Sequence, residues 1–240
     1  MLPWLPAQPI HFPPLDSALD APDGLLAAGG ALTPDWLLAA YRRGIFPWFA
    51  DDQPILWWSP DPRLVLFSGE IRVRRSLAKR LRNAGFDITC DNDFAAVIEA
   101  CAAPRADAEG TWITASMQAA YRRLHQLGHA HSIEVRRHGH LVGGLYGVAI
   151  GRVFFGESMF SLERDASKVA LVHLARYLER QGGGLIDCQM TTPHLLSLGA
   201  RSIARDQFIN YLNQYADRPA PDWDPMLSIP RDSGGQEREQ

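Results

Sequence analysis

The chain has 240 residues, of which 46% are hydrophobic and 21% are charged, and its formal net charge is −3. These values are ordinary for a globular protein and give no overall sign of nucleic-acid binding, so any such signal must be local. The three cysteines, an odd number without C-x-x-C spacing, argue against a disulfide framework and fit a reducing compartment. No run is apolar for the roughly 18 residues of a membrane span, and no signal peptide is recognisable. We therefore expect a cytoplasmic protein that does not enter a membrane.

The first 62 residues differ in composition from the rest. They hold 11 of the 17 prolines and five of the seven tryptophans, which predicts a small domain of turns and extended segments. One helix is well marked, because Thr33 is an N-cap residue, Pro34 suits the first helical position and Gly44 ends the pattern. We place the domain boundary after Asp61-Pro62, where proline becomes rare.

Regular patterns follow from residue 63 to residue 216. Strands are predicted at 64–67, 86–90, 132–137, 141–150, 152–160 and 184–190, and helices at 75–84, 91–103, 114–128, 165–182 and 205–215. This order predicts an α+β (mixed α/β) domain in which helices flank a mixed, largely antiparallel sheet. The predicted strand 141–150 contains Gly143, Gly144 and Gly147. Glycine weakens a strand interior, so these residues indicate a bulge or the close approach of another backbone or a ligand. Residues 217–240 are polar and proline-rich and are predicted to form a mobile tail.

The most basic stretch spans residues 72–82. It contains six of the 24 basic residues and no acid, and its pattern predicts a helix with Leu77 and Leu81 facing inward. Such a run is either a solvated helix face or a surface that meets phosphate groups, and both interpretations stay open at this point.

The segment 184–190 places one acid and one amide two residues apart. Alternate residues of a strand share a face, so Asp187 and Gln189 are predicted to stand side by side, with Ile186 and Cys188 on the other face. This pair is either a structural hydrogen bond at a strand end or a place for chemistry.

A second acid lies among large apolar side chains. The pattern predicts that Glu157 shares a strand face with Val153, Phe155 and Met159, and a buried carboxyl group there needs partners. A functional acid and a structural hydrogen-bond acceptor are both consistent with it. The histidines between residues 125 and 140 fit no closed zinc set, which argues against a metal site.

The order of elements is that of GNAT-type acyltransferases, many of which bind coenzyme A on a glycine-rich loop. The corresponding residues 159–168 contain no glycine, so we expect another acyl donor. Seven separated motifs, spread over about residues 10–215, resemble the leucyl/phenylalanyl-tRNA–protein transferase family. They are Gly29-Gly30-Ala31-Leu32-Thr33, Tyr41-Arg42-Arg43-Gly44-Ile45-Phe46-Pro47-Trp48-Phe49, Trp57-Trp58-Ser59-Pro60-Asp61-Pro62-Arg63, Thr111-Trp112-Ile113, Tyr146-Gly147-Val148, Phe155-Gly156-Glu157-Ser158-Met159-Phe160-Ser161 and Asp187-Cys188-Gln189.

The resemblance implies a reaction and its partners. Members of this family move leucine or phenylalanine, and methionine less well, from aminoacyl-tRNA to the α-amino group of proteins that begin with Arg or Lys, which marks those proteins for degradation by the N-end rule pathway. It also implies a small N-terminal domain before a GNAT-like domain, and no metal or other cofactor. The expected partners are aminoacyl-tRNA and acceptor proteins, and the protein itself is expected to be a monomer.

The resemblance also implies residue roles. Asp187 and Gln189 match the proposed catalytic pair, in which Asp187 polarises Gln189, and Gln189 either accepts a proton from the attacking amine or only orients it. The implied substrate-binding residues are Trp48, Trp112, Leu145, Phe155, Glu157 and Ser158. The implied tRNA-binding residues, which would grip phosphates, are Arg74, Arg75, Lys79, Arg80 and Arg82. Two other functions remain as alternatives, namely a small-molecule GNAT acetyltransferase and an RNA-binding protein without enzymatic activity.

Overall fold

A small sheet and one helix form the N-terminal part of the chain in the computed structural model, which describes residues 2–103 and 111–223. The strands pair in the order β1-β2-β4-β3, and only β1 and β2 are parallel. The elements are β1 (Trp4–Leu5), β2 (Leu25–Gly29), α1 (Pro34–Tyr41), β3 (Phe46–Pro47) and β4 (Leu56–Trp58). The predicted helix is confirmed, since the Thr33 hydroxyl accepts a hydrogen bond from the Trp36 amide at 3.4 Å.

A seven-stranded sheet forms the larger part, with the order β11-β5-β10-β9-β8-β7-β6. Its strands are β5 (Arg63–Phe67), β6 (Asp87–Cys90), β7 (Ala130–Arg137), β8 (His140–Ile150), β9 (Val153–Ser161), β10 (Leu185–Gln189) and β11 (Arg201–Ile203). Only β9 and β10 are parallel, and the other neighbours are antiparallel. The predicted fold class, a mixed and largely antiparallel sheet, is confirmed.

Helices cover both faces of this sheet, as predicted. They are α2 (Arg75–Asn83), α3 (Phe94–Ala102), α4 (Ala115–Gln126), α5 (Ala166–Arg180), α6 (Pro193–Ser197) and α7 (Arg205–Ala216). One apolar core joins the sheet to α3, α4, α7 and the N-terminal part, through residues such as Phe94, Tyr121 and Phe208. A second core joins the opposite face to α2 and α5, through residues such as Leu77 and Leu171.

The local signals in the sequence account for most of these elements. Asp93 caps α3 and Thr114 caps α4, each with a side-chain oxygen that accepts a backbone N–H. The sequence patterns did not reveal α6 and β11, which have five and three residues and are too short for a periodic signal. The close approach expected at the glycines of β8 is confirmed, because a Cβ on Gly143 would lie 2.4 Å from the Cβ of Ala166.

A bulge in β9 corrects one expectation about side-chain faces. The pairing with β8 skips a residue, because Tyr146 lies opposite Ser158 while Gly147 lies opposite Gly156. The extra residue is Glu157, and a bulge of this kind shifts the alternation of all later side chains. Met159 therefore packs against the second core rather than sharing the face of Phe155, and strict alternation is wrong beyond Glu157.

The predicted domain limits at 62 and 216 remain predictions, although the N-terminal part shares its core with the larger sheet. Trp223 stacks on His131 with ring centroids 4.2 Å apart, so the first part of the predicted tail packs on the body. The rest of that tail, 224–240, lies outside the described residues. Across the two described ranges, no helix combines the length and apolarity that crossing a bilayer requires.

Candidate active site

A cavity of about 710 Å³ opens where the two parallel strands separate. Pairing between β9 and β10 ends at Phe155 and Asp187, and both strands carry a bulge immediately afterwards. The cavity is lined by both strands beyond that point, by α5 and by α6. Its position follows from the topology, because a parallel pair in an otherwise antiparallel sheet has no hairpin turn to keep the strand ends together.

Most of the cavity wall is apolar. The walls include Leu145, Phe154, Leu171, Leu174 and Ile186, which belong to the core on the α5 side. Polar side chains interrupt this wall, among them Glu157 and Gln189, which are hydrogen bonded to each other at 3.0 Å, and Ser158. An apolar chamber with a few placed polar groups is the usual form of a small-ligand site.

Glu157 is the centre of a buried hydrogen-bond cluster. Its Oε1 accepts hydrogen bonds from the Tyr41 hydroxyl at 2.7 Å and from Nε2 of Gln189 at 3.0 Å. Its Oε2 lies 2.7 Å from the Tyr121 hydroxyl oxygen, which is a hydrogen-bond distance. Burial raises the pKa of Glu157 to about 7, although the hydrogen bonds from Tyr121 and Tyr41 oppose that rise. The carboxyl group is therefore near its titration midpoint at neutral pH.

Gln189 owes its position to the bulge in β10. Its backbone lies in the left-handed region, with φ of 60°, and the pairing with β5 skips Cys188. The backbone N–H of Gln189 donates to Oδ1 of Asp187 at 3.0 Å. The prediction that Asp187 and Gln189 stand side by side on one face is wrong, because the bulge brings Gln189 to the cavity together with Ile186 and Cys188, whereas Asp187 is not among the lining residues. The Asp187 carboxylate contacts the backbone of Gln189, and Glu157 holds its side-chain amide.

Asp187 lies beneath the cavity in a buried ion pair. Its two carboxylate oxygens accept from Nε and Nη2 of Arg63 at 2.8 and 2.7 Å, and neither side chain is more than 1% exposed. The guanidinium group of Arg63 lies between the rings of Phe46 and Phe208, at 4.8 and 4.7 Å from their centroids. This pair fixes the end of β10 to β5.

Two further cavity residues carry titratable groups. Burial raises the pKa of the Cys188 thiol, and the charge of Asp187 adds to that effect, so the thiol stays protonated at neutral pH and is a poor nucleophile. Burial lowers the pKa of His194, as does the charge of Lys168, while Asp165 raises it. His194 is therefore neutral at physiological pH.

The structure brings together most of the substrate-binding residues that the resemblance implies. Trp112, Leu145, Ser158 and Glu157 line the cavity with Gln189. Trp48 is not among the lining residues; it is 37% exposed and packs against Trp58 with ring centroids 5.5 Å apart.

Phe155, by contrast, is fully buried against Tyr41, with centroids 4.9 Å apart, and Phe154 occupies the cavity wall in its place. Phe154 and Phe155 are consecutive in β9, and consecutive side chains of a strand point to opposite faces of the sheet, so only one of them can face the cavity.

Three residues that complete the site were not selected from the sequence. Tyr41, Tyr121 and Arg63 contact Glu157 or Asp187 from three different elements. Tyr41 and Arg63 stand inside motifs that carry the family resemblance, and this is the one signal that could have drawn attention to them.

The basic helix α2 contacts the segment that follows the cavity-lining Leu162, since Nε of Arg80 donates to the carbonyl oxygen of Arg164 at 3.2 Å. Leu77 and Leu81 pack inward as predicted, while four of the five selected cations are exposed, namely Arg74, Arg75, Lys79 and Arg82. Arg80 is half-buried and pairs with Glu163 at 3.2 Å. A groove at the end of α2 is lined by Lys79, Arg80 and Arg164, and Leu162, two residues before Arg164, lines the main cavity. The basic surface and the cavity therefore adjoin.

A mixed sheet whose parallel strand pair separates around an apolar cavity, with helices on both faces, defines the class of fold that the order of elements predicts, but not an activity. Two family profiles narrow this class. "Leucyl/phenylalanyl-tRNA protein transferase" matches residues 65–213, and the N-terminal domain of the same family matches residues 30–61. The chain belongs to the leucyl/phenylalanyl-tRNA–protein transferase family, and the prediction that it is an aminoacyltransferase is confirmed.

Individual relatives agree with this assignment. The leucyl/phenylalanyl-tRNA–protein transferase of Chromohalobacter salexigens is 71% identical over 91% of this chain and 86% of its own length. The protein of the same name from Azoarcus sp. is 62% identical over 92% of this chain and 94% of its own length.

Solved structures are much more distant. L-PGS from Bacillus licheniformis is 8% identical, with a TM-score of 0.40 over 67% of this chain and 52% of that one. A GCN5-related N-acetyltransferase from Kribbella flavida is 16% identical, with a TM-score of 0.37 over 71% of this chain and 61% of that one. Likenesses this distant add nothing to the assignment.

Proposed function

We propose that this protein transfers leucine or phenylalanine, and methionine less well, from aminoacyl-tRNA to the α-amino group of proteins that begin with Arg or Lys. The product is then marked for degradation by the N-end rule pathway, in the cytoplasm. Membership of the family over residues 30–61 and 65–213 supports the reaction class. The observation that carries the proposal is a largely apolar cavity with Gln189 in its lining.

The donor ester is already activated, so the site must hold two substrates in line rather than form a covalent intermediate. The amine nitrogen attacks the ester carbonyl carbon, the new C–N bond forms, and the ester C–O bond breaks. The terminal hydroxyl of the tRNA leaves, and the amine releases a proton to that oxygen or to water. The protonated Cys188 thiol agrees with a route without a nucleophilic side chain.

Gln189 is placed to orient the attacking amine. Its Nε2 donates to Glu157, and no hydrogen bond among the described residues occupies its Oε1, which leaves that oxygen for the amine. A carboxamide is a weak base, so alignment of the amine is the role that its contacts favour. Asp187 supports this arrangement through the backbone of Gln189 and through Arg63.

The apolar walls provide for the side chain of the donor amino acid. Leu145, Phe154, Leu171 and Ile186 contribute an apolar wall that makes no hydrogen bonds to a side chain. Discrimination by size alone is modest, about 10–200-fold per methylene group, so leucine, phenylalanine and methionine can share the chamber.

Glu157 has two possible roles toward substrates, contact with the cationic acceptor side chain or support of the cavity. Its exposure is 8%, and Tyr41, Tyr121 and Gln189 already occupy its oxygens. These contacts favour support of the cavity.

The tRNA is proposed to lie along the basic helix. Arg74, Arg75, Lys79 and Arg82 are exposed, and Arg80 lines the groove beside the cavity. Contacts from these cations to phosphates position a nucleic acid without reading its sequence. An acceptor stem held there would bring its aminoacylated end to the cavity mouth.

A transfer assay tests the proposal. Labelled leucine from Leu-tRNA should appear on a peptide that begins with Arg and not on one that begins with Asp. Gln189→Ala should lower the rate while tRNA binding is retained, whereas Gln207→Ala, which changes an exposed glutamine of α7, should leave it unchanged. Absence of transfer by the unaltered protein, with freshly charged tRNA, would refute the proposal. Stabilisation by acetyl coenzyme A in a thermal-shift assay would favour the acetyltransferase alternative.

A further inference from the structure

Three buried side chains form a closed ring of oxygen contacts next to Gln189. The hydroxyl oxygens of Tyr41 and Tyr121 are 2.6 Å apart. Tyr41 is 2.7 Å from Oε1 of Glu157, and Tyr121 is 2.7 Å from Oε2. Both tyrosines have no exposed surface and Glu157 is 8% exposed, so solvent does not complete these contacts.

The three oxygen–oxygen contacts of this ring determine how many hydrogens it must contain. Each of the three oxygen–oxygen distances is that of a hydrogen bond and needs one hydrogen. Each tyrosine hydroxyl supplies one hydrogen, and an ionised carboxylate supplies none. With Glu157 ionised, one pair of oxygens would face each other without a hydrogen between them. A protonated Glu157 supplies the third hydrogen.

A single direction of donation then satisfies every atom. Oε2–H of Glu157 donates to Tyr121, Tyr121 donates to Tyr41, and Tyr41 donates to Oε1 of Glu157. The second lone pair of Oε1 accepts Nε2 of Gln189 at 3.0 Å. Chains of hydrogen bonds in a low-dielectric interior polarise and strengthen one another, which favours the closed form.

The charged and titratable groups around Glu157 favour its neutral form. From β10, Asp187 faces it with a negative charge that raises its pKa. From β5, Arg63 carries a positive charge, and both its Nε and Nη2 donate to Asp187. From β8, Tyr146 is buried, and the charge of Glu157 raises its pKa too. The neighbours on α1 and α4 are the two ring tyrosines.

We propose that Tyr41, Tyr121 and a protonated Glu157 form a proton-sharing ring that holds the amide of Gln189 in one orientation, with Nε2 toward the ring and Oε1 toward the cavity. A reversed amide would place its oxygen against Oε1 of Glu157, and two acceptors repel each other. Tyr41 and Tyr121 are thus positioning residues for the proposed aminoacyl transfer, on which this role depends.

The glutamine substitution at position 157 is the sharpest test, because a carboxamide mimics the protonated acid. In Glu157→Gln, the amide nitrogen can donate to Tyr121 while the oxygen accepts from Tyr41 and Gln189. The kcat of this variant should stay within about threefold of the wild-type value, a smaller change than the roughly tenfold decrease expected when one buried hydrogen bond is lost. The ratio of wild-type to variant rates should fall as the pH rises through neutrality, because only the wild-type ring loses its proton. A variant as inactive as Glu157→Ala would overturn the proposal.

Removal of one hydroxyl group tests the positioning role. Tyr41→Phe and Tyr121→Phe should each lower kcat by about tenfold, the scale of one buried hydrogen bond, with KM for aminoacyl-tRNA unchanged. Tyr211→Phe, on the partly exposed surface of α7, is the matched control and should change neither. Unchanged kcat in both ring variants would contradict the positioning role.

A spectroscopic measurement separates this proposal from the proposed function. Infrared difference spectra of the full chain, without tRNA, should show the C=O band of a carboxylic acid at pH 6 that disappears toward pH 8 and is absent in Glu157→Gln. A wild-type protein that shows this band but no transfer would refute the function and keep the ring. A protein that lacks the band but transfers leucine would refute the ring alone.

Discussion

Replacement of Asp187 by asparagine removes the negative charge from a buried ion pair and leaves the shape of the side chain unchanged. Arg63 then remains as a buried cation, because the side chains of Arg63 and Asp187 are only 1% and 0% exposed. Loss of one partner from such a pair costs about 3–5 kcal/mol, because the remaining charge is uncompensated. Since domains of this kind are stable by about 5–15 kcal/mol, Asp187→Asn should fold but be substantially less stable.

Urea unfolding followed by tryptophan fluorescence measures this difference. The midpoint should fall while the slope with denaturant stays the same. Glu70→Gln is the control, since Glu70 pairs with Arg201 at 3.1 Å with both side chains nearly half exposed, and it should cost less than about 1 kcal/mol. If Asp187→Asn costs no more than this control, the reasoning about the buried pair is refuted.

A paired replacement separates stability from the chemistry of the site. In the double variant Arg63→Met with Asp187→Leu, no buried charge is left unpaired, and apolar replacements of such pairs are often neutral or stabilising. Stability should therefore recover relative to Asp187→Asn. Transfer should stay impaired, because the backbone N–H of Gln189 loses its acceptor. Full recovery of both properties would show that Asp187 has only a structural role.

Three further predictions concern pH, tRNA and substrate size. Folding raises the pKa of Glu157 from 4.5 to about 7, so this group contributes about 3 kcal/mol of stability below pH 4.5, and that contribution is lost as the pH rises to 7. Urea unfolding should show this decrease of stability with pH in the wild type and not in Glu157→Gln. Equal pH dependence of the two proteins would contradict the prediction. Replacement of Arg75 and Lys79 by Glu should weaken tRNA binding and reduce its salt dependence, whereas Arg123→Glu on α4 should do neither. Unchanged affinity would show that α2 is a solvated helix face that does not bind tRNA. Leu171→Phe should slow phenylalanine transfer at least about tenfold more than leucine transfer, measured as kcat/KM for both donors, and equal effects would place the donor side chain elsewhere.

Local sequence signals predict most of the longer helices and strands of this protein. The caps at Thr33, Asp93 and Thr114 predict helix starts, because a capping interaction involves residues three positions apart. Alternating apolar residues predict the strands, and the inward positions of Leu77 and Leu81 follow from helical spacing. The family follows from motifs spread along the chain, whereas the shared face that spacing predicts for Asp187 and Gln189 is lost at the bulge in β10.

The tertiary structure alone decided how the site is assembled. Glu157 meets Tyr41 and Tyr121 across 116 and 36 positions, and Asp187 meets Arg63 across 124 positions. No local pattern encodes such contacts, because they depend on which faces of distant elements pack together. The bulges in β9 and β10 interrupt the regular alternation on which sequence reasoning relies. The sequence alone therefore determined most of the longer elements and the family, and the packing of distant elements decided that Glu157, rather than Asp187, holds the amide of Gln189.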